Sequence, residues 1–411
     1  MTATISLGTP ESPIRFRNYG SIISNPMIRW LGQLSFPYSP SDLEGVDAVI
    51  ISDEWGIECR TCIAACKIRN IPVFHILDGV IRWKNLFENP RSLAAENGSP
   101  FLRPLISDMT FVMGDLQYSI LKWLGNSKIC VSGLPRFAHY HPKSCRYGDS
   151  PRPHVLLATS NSPWYTESQR EFFIPCFQRV IDTLRQDCET LGIPYHCRLS
   201  PFVKWQNIEP SWLGPHPPLY EQLKNCTVLI TTPSTIAIEA MLVGIPTLIF
   251  DPWADPCLVP SCWTADHAEV VSNLLPSLLS PTKERASMQD LICKYTVRDC
   301  RDSAELIVNA IAREVASRRA PIKESPSSDS SPINHAQAPH IECQRDWDLD
   351  TPHVIGLVQT IPQLAALLYE ERITMHAIRG LSDKIQATNT PLLRVIAQKV
   401  KKRLFNSKFK R

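Results

Sequence analysis

The residues best suited to chemistry lie in one stretch, Val228–Asp251, which reads VLITTPSTIAIEAMLVGIPTLIFD. A short apolar run ends in hydroxyl side chains at Thr231, Thr232, Ser234 and Thr235, and helix-forming sequence follows at once. Hydroxyls beside the free N–H groups of a helix start, with the positive end of the helix dipole behind them, form a place for a phosphate. Glu239 falls four residues after Thr235, one turn along, where a carboxylate can accept from a pair of ribose hydroxyls. The next apolar run delivers Asp251 and then Asp255 to the same rim. A plain α/β crossover also caps its helix with Ser or Thr, and Glu239 on a solvated helix face would hold nothing. The stretch by itself leaves both readings open.

Further polar residues gather at the ends of other apolar runs. Asp53 and Glu54 follow DAVIIS, and Asp78, Arg82 and Lys84 follow PVFHIL, which carries His75 inside it. Asp78 and His75 are the candidates for a catalytic base, although a histidine within a buried strand is more often a core residue, and Asp78-Gly79 supplies a turn in any case. His139 and His141 lie in a Pro- and His-rich break. Ser160 follows the run HVLLAT, while His196 and Arg198 lie in YHCRLSP. Cys59, Cys62 and Cys66 have a C-x2-C-x3-C spacing that suggests a metal site. No second Cys/His pair follows at finger spacing, however, and the three share one apolar helical face with Ile63, so core packing is the expectation and no metal is assigned.

These side chains need a scaffold that brings strand ends together. Apolar runs at 47–52, 72–77, 110–113 and 129–132, alternating with helical sequence, predict a parallel, doubly wound α/β unit. After a break at 135–153 the pattern restarts with strands at 154–159, 195–199, 228–232 and 246–250. Between them run a long helix from Thr166, where Thr166 and Gln169 have capping-box spacing, and helices at 219–224 and 235–243. Helices near 265–279, 282–295 and 303–317 close this second unit. The expected organisation is an irregular segment 1–46, a first lobe 47–134, a hinge 135–153, a second lobe 154–317, a Pro/Ser-rich linker 318–350 and a helical tail 351–411.

Composition bounds the function. A chain of 411 residues with 44% apolar content supports two cores, and a formal net charge of +3 gives no overall polyanion-binding character. No run of about eighteen apolar residues occurs. The first twenty residues lack the apolar core of an export signal, so the fourteen cysteines are expected reduced, in a cytoplasmic setting. The tail concentrates Arg394, Lys399, Lys401, Lys402, Arg403, Lys408, Lys410 and Arg411 without an acid among them. It is a candidate for peripheral contact with an anionic inner membrane face, or an ordinary solvated helix; nucleic acid is not an expected partner.

The sentence TTPSTIAIEAMLVGIPTLIFD resembles a segment of the second lobe of the GT-B glycosyltransferase superfamily. This group includes CDP-glycerol glycerophosphotransferases, capsule polysaccharide enzymes and UDP-N-acetylglucosamine 2-epimerases. The likeness spans roughly 47–317 and also touches DAVIISDEW, Asp78–Trp83 and VSGLPR at Val131–Arg136. It implies two facing Rossmann-like lobes and a donor side formed by Ser160, Arg198, Thr232, Ser234, Thr235, Glu239 and Asp251. Ser234 and Thr235 would approach a diphosphate and Glu239 a ribose. The implied substrate is a UDP-, CDP- or GDP-linked donor, with no further cofactor, and the implied activity is transfer of a sugar or polyol phosphate to a glycan or lipid-linked acceptor. Isomerisation at a sugar C2 and non-catalytic nucleotide-sugar binding are the alternatives. Two departures bear on catalysis: Ser200-Pro201 stands where relatives carry His-Pro, and no opening strand with a Gly-rich loop is legible in 1–46, so that either the first lobe is abbreviated or Arg15–Ser24 is a degenerate remnant of that opening.

Overall fold

The computed structural model describes residues 3–8, 20–34, 40–52, 54, 57–87, 102–140, 153–160, 163–206, 208–209, 217–255 and 258–319. Two parallel sheets make up this body. The first has six strands: β1 (Ala3–Gly8), β2 (Ile28–Leu34), β3 (Ala48–Ile51), β4 (Val73–Ile76), β5 (Met109–Val112) and β6 (Ile129–Val131), in the order β2-β1-β3-β4-β5-β6. The second has five: β7 (Val155–Ala158), β8 (Tyr195–Arg198), β9 (Val228–Thr231), β10 (Thr247–Phe250) and β11 (Trp263–Ala265), in the order β11-β10-β9-β7-β8. Each sheet reverses direction once, between β1 and β3 and between β7 and β9. Ligands of open α/β sheets bind outside the strand ends at such reversals.

The strands read as unbroken apolar runs because both faces of each sheet are covered. In the first sheet Val49, Ile51 and Val73 turn to one side. There they meet Cys62, Ile63 and Cys66 of helix α2 (Ile57–Ile68); a shorter helix, α1, spans Gly20–Ile23. Ala48, Ile50, Phe74 and Ile76 turn to the other side. In the second sheet Val155, Leu157, Val228, Ile230, Leu248 and Phe250 face a core of their own, while Leu156, Ala158, Leu229 and Ile249 join the same large cluster as the first sheet. This period of two is the strand geometry itself. Cys62 and Cys66 are thus core side chains, at 1% and 0% exposure.

The remaining helices are α3 (Trp83–Phe87), α4 (Asp115–Trp123), α5 (Glu167–Leu191), α6 (Leu219–Lys224), α7 (Thr235–Leu242), α8 (Ala268–Leu279), α9 (Lys283–Thr296) and α10 (Ser303–Arg319). The capping signal at Thr166 is realised: its hydroxyl accepts from the Gln169 N–H at 3.2 Å, and the Gln169 side chain accepts from the Tyr165 N–H at 2.8 Å. Gly192 closes α5 at φ 64°, a left-handed cap that a glycine adopts without strain.

Three expectations need correction. The segment 1–46 is not irregular: β1 and β2 lie in it, β1 pairs with both β2 and β3, and the first lobe is not abbreviated. The strand was hidden because ATISLG is short and its Thr and Ser dilute the apolar signal, although Ile5 and Leu7 alternate as a strand requires. The helix expected from 53 begins at Ile57. The last helix, finally, does not belong to the second core alone. Ile307, Val308, Ile311 and Val315 of α10 share a cluster with Ile22, Ile28, Ala48 and Ile50 of the first lobe. Arg318 pairs with Asp108 at 2.7 Å and Arg319 with Asp47, which fixes the end of α10 to the first sheet. The helix runs to Arg319, past the expected linker boundary at 318, and the remainder of the linker and the tail expected to be helical and basic lie outside the described residues.

Candidate functional site

The second reversal point carries the polar constellation. β7 runs out through Thr159 into Ser160, and β9 runs out through Thr232 into Ser234, which caps α7. Ser234 has extended backbone and no side-chain hydrogen bond to the helix, so the first N–H groups of α7 are left to other acceptors. The Ser160 N–H donates to the Thr232 hydroxyl at 2.9 Å, which ties the two loops together. The Ser160 hydroxyl is itself buried with no hydrogen-bond partner among the described residues. A buried hydroxyl without a partner loses its hydration for nothing, which favours a ligand that supplies the bond.

Glu239 lies one turn inside α7 and is 6% exposed. Its carboxylate receives two bonds, both from the first lobe. Arg136, in the 3-10 turn Pro135–Phe137 after β6, donates to Oε1 at 2.9 Å, and the Tyr140 hydroxyl donates to Oε2. Arg136 also donates to Asp78 Oδ1 at 2.6 Å, at the end of β4. Burial opposes the charge on Arg136, but Asp78 and Glu239 together outweigh it and hold the guanidinium above its ordinary pKa. Burial, then Glu239, pushes the Tyr140 phenol far up, so it stays a donor. Asp78 and Glu239 therefore face one another across the lobes with an arginine between them.

Two more bridges cross the same cleft. Lys84 pairs with Asp255 at 3.0 Å, both nearly buried, and Arg82 donates to the Tyr165 hydroxyl and, at 3.4 Å, to the Pro163 carbonyl. Arg82, Lys84, Pro163, Thr232, Asp251, Trp253 and Asp255 border a small, partly open cavity of about 30 Å³ at the strand ends. Asp251 is partly buried beside Asp255, and burial first, then that like charge, pushes its acid up to about 6.

The structure thus brings Ser160, Thr232, Ser234 and Thr235 together at the ends of β7 and β9, sets Asp251 at the neighbouring end of β10 in the cavity that Thr232 borders, and links Glu239 to Asp78 through Arg136. Other candidates go elsewhere. His75 is 0% exposed inside β4, with Ile51 and Thr110 as its strand neighbours, and does not border the cleft. Glu54 is buried and accepts from the Ile106 and Ser107 N–H groups and the Ser107 hydroxyl, so it organises a loop. Arg198 points to the Pro217 carbonyl at 3.0 Å and to Gln222 Oε1 at 2.9 Å, and burial lowers its pKa. The His196 and His154 rings lie 4.8 Å apart, and His139 packs on Tyr140 and Tyr220. Ser200 is buried and shapes its own loop: its N–H donates to Thr159 and its carbonyl accepts from the Trp205 indole. Asp53 and His141 lie outside the described residues. Arg136 and Tyr140 carried no assigned role in the sequence, although VSGLPR was a quoted motif. A basic residue directly after a strand-end Gly-x-Pro was the signal available.

No protein-family model matches the chain, and no curated protein sequence does. Solved structures do match. The chain is similar to a putative UDP-N-acetylglucosamine 2-epimerase from Listeria monocytogenes, at 12% identity over 78% of this chain and 98% of that one, with a TM-score of 0.52. It is similar to S. aureus MnaA in its co-structure with UDP, at 13% identity over 80% and 100%, with a TM-score of 0.51. It is also similar to UDP-GlcNAc 2-epimerase from Neisseria meningitidis bound to UDP-GlcNAc, at 10% identity over 76% and 100%, with a TM-score of 0.50. Likeness at such identities speaks to architecture, and together with the two parallel sheets and the cleft between their strand ends it establishes that this chain has the two-lobed, Rossmann-like GT-B fold.

Proposed function

We propose that the cleft binds a nucleoside-diphosphate-linked donor and that the chain transfers its sugar or polyol-phosphate group to a glycan or lipid-linked acceptor. One observation carries the reading. At the β7/β9 reversal an unpartnered Ser160 hydroxyl, the Thr232 and Ser234 hydroxyls and the open N-terminus of α7 converge one helical turn from the Glu239 carboxylate. Phosphate oxygens suit the first group and ribose hydroxyls the second. Three proteins of similar fold are named for a UDP-sugar reaction or a complex with UDP, which supports a nucleotide at this place.

The proposed chemistry follows from charge. As the donor bond breaks, negative charge grows on the diphosphate, and fixed N–H groups and hydroxyls stabilise it without reorganising. Glu239 keeps acceptor capacity for a ribose, because a carboxylate offers about four lone-pair sites and two are taken. Asp78 is the remaining base candidate. Its partner Arg136 would turn toward the incoming phosphates, freeing the Asp78 carboxylate for an acceptor hydroxyl. No helix among the described residues is long and apolar enough to cross a membrane. A lipid-linked acceptor is therefore assigned to a peripheral encounter through the basic tail.

A second reading is binding without turnover. Ser200 at the position of a related His-Pro pair, and a Glu239 already held by two first-lobe groups, favour it. The deciding experiment is calorimetric titration of the protein with UDP, CDP, GDP and their sugar and glycerol conjugates, followed by assay for nucleotide release. A native-state ligand at one hundred times its Kd adds about 2.7 kcal/mol of stability, readily seen as a raised Tm. Binding with release of the diphosphate or CMP supports transfer. Interconversion of sugar epimers replaces transfer by isomerisation, binding alone leaves a binding protein, and silence from a folded sample overturns the donor site.

A further inference from the structure

Part of the cleft is not used by the phosphate and ribose argument. Beyond Thr232 and Pro233, the cavity wall continues to Asp251, Trp253 and Asp255 on one side and to Arg82 and Lys84 on the other. β9 and β10 are adjacent parallel strands, so the end of β10 at Asp251 lies one strand spacing, about 4.8 Å, from the end of β9. A group carried by a diphosphate at the α7 N-terminus therefore has Asp251 within reach.

The charges along that wall are not equivalent. Lys84 and Asp255 are joined at 3.0 Å with side chains 7% and 4% exposed, and Lys84 also lies 4.7 Å from the centre of the Trp253 ring. As a unit they are neutral. Arg82 is directed at the Tyr165 hydroxyl and the Pro163 carbonyl. Asp251 Oδ1 accepts from the Trp253 N–H at 3.2 Å, and among the described residues its carboxyl makes no other hydrogen bond. Its acceptor capacity is left to the cavity.

We propose that Asp251 determines which group the donor carries: it accepts from a hydroxyl of an uncharged sugar or polyol and excludes groups that bear a carboxylate. The inference rests on the nucleotide-donor reading of the same cleft. A second carboxylate beside Asp251 would meet like charge in a partly closed space; Lys84 is already held by Asp255, and Arg82, the other cation on this wall, is turned to the Tyr165 hydroxyl and the Pro163 carbonyl. The discrimination is itself titratable. The groups facing Asp251 are Asp255 on its own loop, which raises its pKa along with burial, and Lys84 and Arg82 from the first lobe, which lower it less; the acid titrates at about 6. Above that pH Asp251 is charged and excludes carboxylates. Below it the carboxyl is neutral and admits them.

The test is calorimetric affinity for UDP-glucose and UDP-glucuronate between pH 5 and 8, on the wild-type chain and on Asp251→Asn. Neither phosphate of a UDP-sugar nor the glucuronate carboxyl titrates in this range, so a change in the affinity ratio reports on the protein. The expected result is a preference for UDP-glucose of roughly ten- to a hundredfold at pH 7.5, the size of a like-charge repulsion across about 6–12 Å at an effective dielectric near 20. That preference should shrink as pH falls through 6 and be absent at every pH in Asp251→Asn. A ratio independent of pH in the wild type, or a preference retained by Asp251→Asn, overturns the assignment of Asp251 while the donor reading stands. Failure of UDP, UDP-glucose and UDP-glucuronate alike to bind the folded wild type overturns both for uridine donors.

Discussion

Glu239 has two first-lobe donors on its carboxylate, and removing either side of that contact has unequal consequences. Arg136→Ala leaves Glu239 at 8% side-chain exposure and Asp78 at 16% without their shared cation. Stripping one partner from a buried ion pair costs about 3–5 kcal/mol because the remaining charge is stranded. Tyr140→Phe removes one hydrogen bond from a carboxylate that keeps Arg136, a loss of about 1.5–3 kcal/mol. Chemical denaturation should therefore rank Arg136→Ala as the more damaging; a cost below about 1 kcal/mol would show that the three-residue chain contributes little to closure. That Asp78 follows a strand and Glu239 lies one turn into a helix after a strand was legible, because both positions follow from patterns in the local sequence. Their connection was not. Arg136 is 58 residues from Asp78 and 103 from Glu239, and nothing in a local period encodes partners at such separations. His75 shows the opposite case: its place inside an apolar run already pointed to the core, and there it lies.

Among the elements, four of the five second-lobe strands and the second-lobe helices lie within a few residues of their expected spans, whereas β11 (Trp263–Ala265) was not expected, because three residues carry no period of their own. β1 and β2 were not expected either. Their polar alternation is weak, and their place in the sheet is settled by pairing with β3 and with each other, which a single short run does not announce. The junction of α4 and α9 is a second feature hidden in sequence. Gly114 caps α4 with an extended backbone, φ −170°, that any residue could adopt. Its reason is space: a Cβ there would lie 2.1 Å from the Thr296 carbonyl oxygen and 2.8 Å from the Val297 nitrogen, at the end of α9. Backbone atoms cannot step aside as a side-chain tip can. Gly114→Ala should then cost about 3 kcal/mol or more, toward the upper end of overpacking effects, and lower the thermal midpoint accordingly. Gly79→Ala, where a Cβ meets nothing within 4 Å, is the control. Equal stability of the two variants would mean that α4 and α9 are not in the close contact described.

For the whole molecule, the chain crosses between lobes twice, and the second crossing decides how the lobes behave. After α9, the Arg298 N–H donates to the Met113 carbonyl at 2.8 Å and the Cys300 thiol accepts from the Leu134 N–H at 3.3 Å, so the segment leaves the second lobe along the first. α10 then buries Ile307, Val308, Ile311 and Val315 in a cluster that holds residues of both sheets. The sequence placed this helix with the second lobe because its apolar period is read from neighbours in the chain, whereas the face it covers is chosen by packing. A cut to this helix should accordingly be felt at a distance. Ile311→Ala removes a side chain of 0% exposure and should cost about 2–5 kcal/mol. If one shared core joins the lobes, calorimetry will show a single transition moved to lower temperature. Hydrogen exchange will accelerate in β3 and β4 of the first lobe as well as in β7 and β9 of the second. Protection lost only in the second lobe would mean that α10 belongs to that lobe alone. The cleft would then join two units of independent stability, and the bridges through Lys84 and Arg136 would have to supply its closure.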